Sequence, residues 1–210
     1  MDDQRYATDR GVLARVAGML YERRMTELQG GNMSLRVGDA AVVSPTKASE
    51  NTGWRLTAEE MLVQDLDGNV RVGDPAHVSR EIGLHLRLYR EYPELGSIFH
   101  LHLAEALGAV ASGRWAPGVV SRTPEPHGAA VVVLEADLAA QTEPHDARVV
   151  ELLGKVERVD GALSISPGHG IFCVARDVST NIRAADVFRQ RLEFERLRGR
   201  IRAAADGAAA

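Results

Sequence analysis

His100 and His102 close the apolar run that begins at Ser97, and as residues i and i+2 of a strand they would point to one face and direct two imidazoles at a single ion. A His-x-His pair by itself reads more simply as two half-exposed strand side chains. A third imidazole changes the balance. His169 sits in Pro167-Gly168-His169-Gly170 between two apolar runs, where flanking glycines let the backbone bend and bring a side chain close to a partner. Three nitrogens with one position left open is the pattern of a catalytic zinc rather than a structural one. Upstream, Glu81 and His85 lie four apart on a segment with helical spacing and so share a helix face. Glu81 can serve as a fourth ligand, as a general base, or simply as a charge favouring the first turn of its own helix, worth up to about 1 kcal/mol. His85 is expected to pack against the sheet, since three histidines already suffice for zinc.

A second group of residues suits an anion. QGGNMSLR (29–36) supplies a glycine turn at Gly31 with Asn32, and SPTKAS (44–49) supplies Ser44, Thr46 and Lys47. Backbone amides at turns, hydroxyls and one cation are what a phosphate needs. Neither stretch matches a P-loop or a dinucleotide fingerprint, and two ordinary turns is the alternative reading.

The elements that must carry these residues follow from periodicity. Residues 7–29 have helical spacing, with a stop at Gly30-Gly31. Runs 33–37 and 40–44 around Gly38-Asp39 read as a hairpin, and 61–72 around Asp67-Gly68 as a second. Asp65-Leu66-Asp67-Gly68 lacks the ligand spacing of a calcium loop and reads as a turn. A helix over 79–92 with Ser79 as N-cap, a strand over 98–103, a helix over 105–112, strands over 119–121 and 129–134, and a helix over 147–156 come next. Strands 162–166 and 170–175 flank the His169 turn. A long helix over 178–202 then packs Ile182, Ala185, Phe188, Leu192 and Leu197 on one face, with its arginines solvated and a frayed tail from 203 to 210.

The whole 210-residue chain, 1–210, is expected to form one domain. With 45% apolar and 26% charged residues it can bury a core without disulfides. The net charge of −4, with signs mixed along the chain, argues against nucleic acid as a partner and leaves small molecules or proteins. Cys173, the one cysteine, lies in an apolar run and reads as a buried hydrophobe. The N-terminus carries no apolar leader and no stretch approaches the roughly 20 apolar residues of a membrane span, so a cytoplasmic location without a membrane partner is expected.

Taken in order, Gly31-Asn32-Met33-Ser34, Ser44-Pro45-Thr46, Ser79-Arg80-Glu81 with His85 and Leu88-Tyr89-Arg90, His100-Leu101-His102 and Gly168-His169-Gly170 resemble the class II aldolase/adducin family over about residues 8–198. The resemblance implies a three-layer αβα fold of class α/β, with a central antiparallel sheet flanked by helices, and a homotetramer with active sites between subunits. It implies that His100, His102 and His169 hold Zn²⁺, with Fe, Mn or Co as other divalent candidates, and that Glu81 shuttles the proton. It also implies that Gly31, Asn32, Thr46 and Ser79 hold a substrate phosphate. The expected activity is that of the family's fuculose phosphate aldolases. A small phosphorylated ketose is made or cleaved through an enediolate, giving a triose phosphate such as dihydroxyacetone phosphate and an aldehyde. The alternatives are a related epimerase, decarboxylase or dehydratase, an iron-dependent oxygenase, or an adducin-like scaffold. Glu81 counts against the epimerase, whose members usually carry aspartate, and the intact histidines count against the scaffold.

Two departures bear on the substrate. Lys47 stands where the family usually has glycine and Arg80 where it usually has serine, so two cations flank the anion site and the anion can be a carboxylate. No tyrosine follows Tyr92, whereas the family's aldolases protonate the aldehyde oxygen with late tyrosines, so the acid is another group; His127 in TPEPHG is one candidate, and an ordinary loop histidine is the alternative reading.

Overall fold

The computed structural model describes residues 2–28, 30–121 and 130–208. In chain order the elements are α1 (Asp2–Glu22), β1 (Asn32–Val37), β2 (Ala40–Val43), α2 (Ala48–Thr52), β3 (Leu62–Asp65), β4 (Val70–Val72), α3 (Ile82–Glu91), β5 (Ser97–Leu101), α4 (Ala104–Ala111), β6 (Gly118–Ser121), β7 (Val131–Val133), α5 (Glu143–Leu153), β8 (Ala162–Ser166), β9 (Gly170–Ala175) and α6 (Val178–Ala208). The nine strands form one sheet in the order β4-β3-β2-β1-β5-β9-β8-β7-β6.

Helices cover both faces. Strand residues of one parity, among them Met33, Leu35, Phe99, Leu101, Ile171 and Cys173, pack with Leu13, Leu20, Ala106 and Phe188 from α1, α4 and α6. The opposite parity, with Ile98, Phe172 and Val174, packs under Leu84, Leu88, Leu152 and Leu153 of α3 and α5. The alternation of a strand therefore sorts side chains between two cores, and His100 faces the second. This is the expected three-layer α/β arrangement with one difference. All pairs are antiparallel except β7 with β8, where Val131, Val132 and Val133 run parallel to Leu163, Ser164 and Ile165. Parallel neighbours need a crossover, and α5 provides it.

Both hairpins form as expected. Val37 pairs with Ala40 across Gly38, whose φ of 63° suits a tight turn. In the second hairpin the Asp65 carboxylate accepts the amides of Asp67 and Asn69, so its oxygens serve the turn rather than an ion.

Several boundaries differ from expectation. The first helix stops at Glu22 rather than at the glycines, because Arg24 adopts a left-handed conformation (φ 57°) and the Met25 amide closes back on the Leu20 carbonyl, burying Met25. α3 begins at Ile82 rather than at Ser79; Ser79 lies in a preceding turn, where its carbonyl accepts the Ile82 amide. The β5 strand ends at Leu101, so His102 lies just beyond it. α5 starts earlier, at Glu143, with Pro144 in its first turn where a missing amide costs nothing. α6 continues through the alanine-rich tail to Ala208, as the high helix propensity of alanine favours. Leu197 is 43% exposed rather than packed, and Phe194 and Ile201 of the same helix are exposed as well.

Candidate active site

Three adjacent strands build the floor of the site. β5 pairs with β1, setting Asn32 opposite His100, and with β9, setting His100 opposite Phe172. The Phe172 ring stacks on the His100 imidazole at 4.3 Å and 12°. Behind them, Asn181 of α6 donates its amide to the Ser97 and Cys173 carbonyls, tying the helix to both strands. His100 is fully buried. Its neighbour Gly170 has no side chain to give up, since a Cβ there would lie 2.5 Å from His100 Nε2 and 2.9 Å from the Leu101 carbonyl oxygen.

The three histidines meet. One ligand nitrogen from each of His100, His102 and His169 falls within 4.8 Å of the other two. Glu81, immediately before α3, reaches into the group. Its Oε2 accepts from His100 Nδ1 at 2.8 Å and from Asn32 Nδ2 at 2.5 Å, and its Oε1 accepts from His169 Nε2 at 2.7 Å and Gln141 Nε2 at 3.4 Å. An ionised carboxylate only accepts, so His100 carries its proton on Nδ1. Burial works to raise the Glu81 pKa, but the hydrogen bonds from His100 and His169 and their charges outweigh it and hold the carboxyl well below its usual range. Burial in turn lowers the His100 pKa.

Among the described residues three imidazole nitrogens, His85 Nε2, His100 Nε2 and His102 Nε2, are buried with no hydrogen-bond partner, and the last two belong to the histidine cluster. An unsatisfied buried acceptor costs about 1–3 kcal/mol. Two such lone pairs beside a third imidazole and a carboxylate form a donor set that suits a divalent ion, so the residues present fit a metal.

His102 is held differently from His100. Its ring lies against Gly30, where a Cβ would come within 2.1 Å of Cε1. Its Nδ1 faces Glu27 Oε1 at 3.2 Å. Gly31, at φ 91°, also sits tight on the His100 carbonyl, 2.8 Å from an added Cβ. The glycine turn read from sequence as an anion loop is thus at least as much a space requirement of the two histidines.

The other expected anion residues form a second patch. Thr46 donates its amide to the His77 carbonyl and Pro45 bridges Val78, which sets the loop carrying Thr46 and Lys47 beside the one leading to Ser79 and Arg80. Lys47 and Arg80 are exposed, and Thr46 and Ser79 half-buried. Ser44 lies apart from this patch in role; its hydroxyl accepts the Met33 amide and joins two strands. Asn32 belongs to the carboxylate cluster through its amide. His85 is a buried structural group, as expected: Nδ1 meets Ser34 Oγ, which also meets Tyr89 Oη, each at 2.8 Å. Burial lowers its pKa to about 3. His127 lies outside the described residues.

Sequence reasoning did not single out Gln141, Glu27 or Phe172. Gln141 carries a local mark only in the structure, a left-handed φ of 64° in the loop before α5. Such a conformation is uncommon for a residue with a side chain, and here it delivers an amide to Glu81.

A mixed nine-stranded sheet between helices brings three histidines and a glutamate together at the carboxyl end of β5 and the β8–β9 turn, a donor set of the kind that suits a divalent ion. The sequence profile described as Class II Aldolase and Adducin N-terminal domain matches residues 12–195, and the chain belongs to that family. It is similar to methylthioribulose-1-phosphate dehydratase of Sorangium cellulosum (strain So ce56), with 27% identity over 89% of this chain and 91% of the relative. It is also similar to L-fuculose phosphate aldolase of Methanocaldococcus jannaschii, with 26% identity over 81% and 86%. A solved L-fuculose 1-phosphate aldolase shares the fold, with a TM-score of 0.73 and 17% identity over 91% of this chain and 86% of that one.

Proposed function

We propose that the protein is a metal-dependent lyase acting on a small phosphorylated ketose, with His100, His102 and His169 holding a divalent ion, zinc first among the candidates, and Glu81 moving the proton. The observation that carries this reading is the convergence of His100, His102 and His169 on one point, with Glu81 touching His100 and His169 and the Nε2 atoms of His100 and His102 buried without a partner among the described residues. An ion bound there supplies Lewis acidity, polarising a substrate carbonyl and acidifying the adjacent C–H bond.

The chain's own residues supply the rest. Glu81 holds or releases a proton at the carbon next to the carbonyl, and its oxygens stay oriented by the Asn32 and Gln141 amides when the histidines turn to an ion. In aldol cleavage the hydroxyl on the next carbon loses its proton as the bond between the two carbons breaks and that carbon leaves as an aldehyde; Glu81, having taken up one proton, delivers it to the carbon left behind, so that no proton is gained or lost overall. Phe172, packed on the back of His100, keeps water from that side. The patch of Thr46, Lys47, Ser79 and Arg80, with the Gly31-Asn32 turn, is the place for the substrate's phosphate or carboxylate. We place the active protein in the cytoplasm and, on family resemblance, as a homotetramer with sites between subunits.

Dehydration is the second reading. The similarity to the Sorangium dehydratase over nine-tenths of both chains favours it. There Glu81 removes the proton from the same carbon, and the hydroxyl on the next carbon leaves as water.

The test is to load the protein with zinc and assay a panel of ketose phosphates for triose phosphate release and for dicarbonyl formation, with Glu81→Gln in parallel. The expected result is turnover in one of the two channels that falls by about 100-fold or more in the variant while bound metal is retained. Equal turnover in Glu81→Gln would remove that residue from the mechanism.

A further inference from the structure

We propose that Glu27 is the positioning residue for His102, a role that rests on the metal-site reading above. His102 lies past the end of β5, so no strand ladder fixes its backbone, and its side chain is 14% exposed, unlike the fully buried His100. Two features of the segment before β1 compensate. Gly30 presents a bare backbone on which the ring rests. Glu27 Oε1 accepts the Nδ1 proton at 3.2 Å, and the Trp54 indole donates to the Glu27 carbonyl at 3.2 Å, pinning that residue's backbone.

A carboxylate on Nδ1 selects the tautomer with its lone pair on Nε2, the nitrogen that is buried and without a partner among the described residues. Glu27 addresses the ring nitrogen on the side away from that lone pair, so it orients the ligand rather than joining the ligand set. The site therefore contains two carboxylates with separate tasks. Glu81 serves the reacting carbon, and Glu27 sets the aim and tautomer of one imidazole from outside.

The experiment is chelator competition on the full chain with Zn²⁺ and with Co²⁺, measuring affinity, dissociation rate and the cobalt ligand-field spectrum for wild type, Glu27→Ala and Glu27→Gln. Melting of the metal-free proteins serves as the structural readout. The expected result is about 10- to 100-fold weaker binding and faster release in Glu27→Ala. Glu27→Gln should fall between, since its amide oxygen still accepts the Nδ1 proton without the charge. Metal-free melting should not change, because the Glu27 side chain is 60% exposed. Wild-type affinity and an unchanged cobalt spectrum in Glu27→Ala would overturn the role of Glu27 and leave the metal site standing. Failure of the wild type itself to bind either ion would overturn the metal site and this inference with it.

Discussion

His100 and His102 are neighbours in sequence, aim at the same point, and are held by opposite means. His100 sits in mid-sheet between two antiparallel partners, stacked on Phe172 and closed to solvent. Its position is a property of the folded core. His102 lies beyond the last strand pair and depends on a turn and a carboxylate some 70 residues earlier in the chain. The difference divides the site into a rigid floor and an adjustable rim. Glu81 connects the two, since its oxygens also touch His169 in the β8–β9 turn and Gln141 in the loop before α5. Preorganised donors on the floor and a movable group at the rim suit a proton shuttle, which must hold its geometry and still exchange partners.

The division can be broken most sharply by deleting each imidazole. His100→Ala should abolish metal binding and also destabilise the metal-free protein by about 2–4 kcal/mol, because it opens a cavity against Phe172 in a packed interior. His102→Ala should abolish metal binding with much less effect on metal-free stability. Urea unfolding of both variants after chelation measures the contrast, and equal losses would erase the floor–rim distinction.

A second pair separates the supports of the two ligands. Gly170→Ala places a Cβ against both His100 Nε2 and the Leu101 carbonyl, so a strand must shift and folding should suffer by roughly 1–3 kcal/mol. Gly30→Ala meets the His102 ring and no backbone among its near contacts. It should lower metal affinity more than metal-free stability, as titration and thermal melting of the two variants would show.

A further effect concerns pH. His85 is buried and neutral, with its pKa lowered to about 3, whereas in the unfolded chain it returns to about 6.5. Between those values the unfolded state binds more protons, so the contribution of His85 is complete above pH 6.5 and is lost as pH falls toward 3. Metal-free wild type should therefore lose roughly 2 kcal/mol more than His85→Gln between pH 7 and pH 4.5 in urea titrations. Parallel curves would show that His85 is not held neutral.

The reacting groups were the legible part of the site. His100, His102, His169 and Glu81 stand out by residue type and spacing, and the turns at Gly38 and Gly68 announce hairpins through glycines placed where φ is positive. The supports of the rim were much less legible. Glu27 reads as one more charge near the end of an amphipathic helix, and that helix stops early because Arg24 takes a conformation its residue type rarely adopts. Gln141 reaches Glu81 only through a left-handed backbone in a polar loop. The parallel β7–β8 pair was hidden for a similar reason, since valine runs pair in either direction and only the crossover through α5 decides. Local pattern reveals what the strands demand of their residues; contacts between distant loops leave little trace in it.

The central claim is that the three histidines hold a metal ion on which the chemistry depends. The most direct test is the metal content of the purified protein by mass spectrometry, for wild type and His100→Ala, before and after incubation with zinc. About one ion per chain in the wild type and none in the variant is the predicted result. A wild-type protein that neither carries nor takes up a divalent ion would contradict the account.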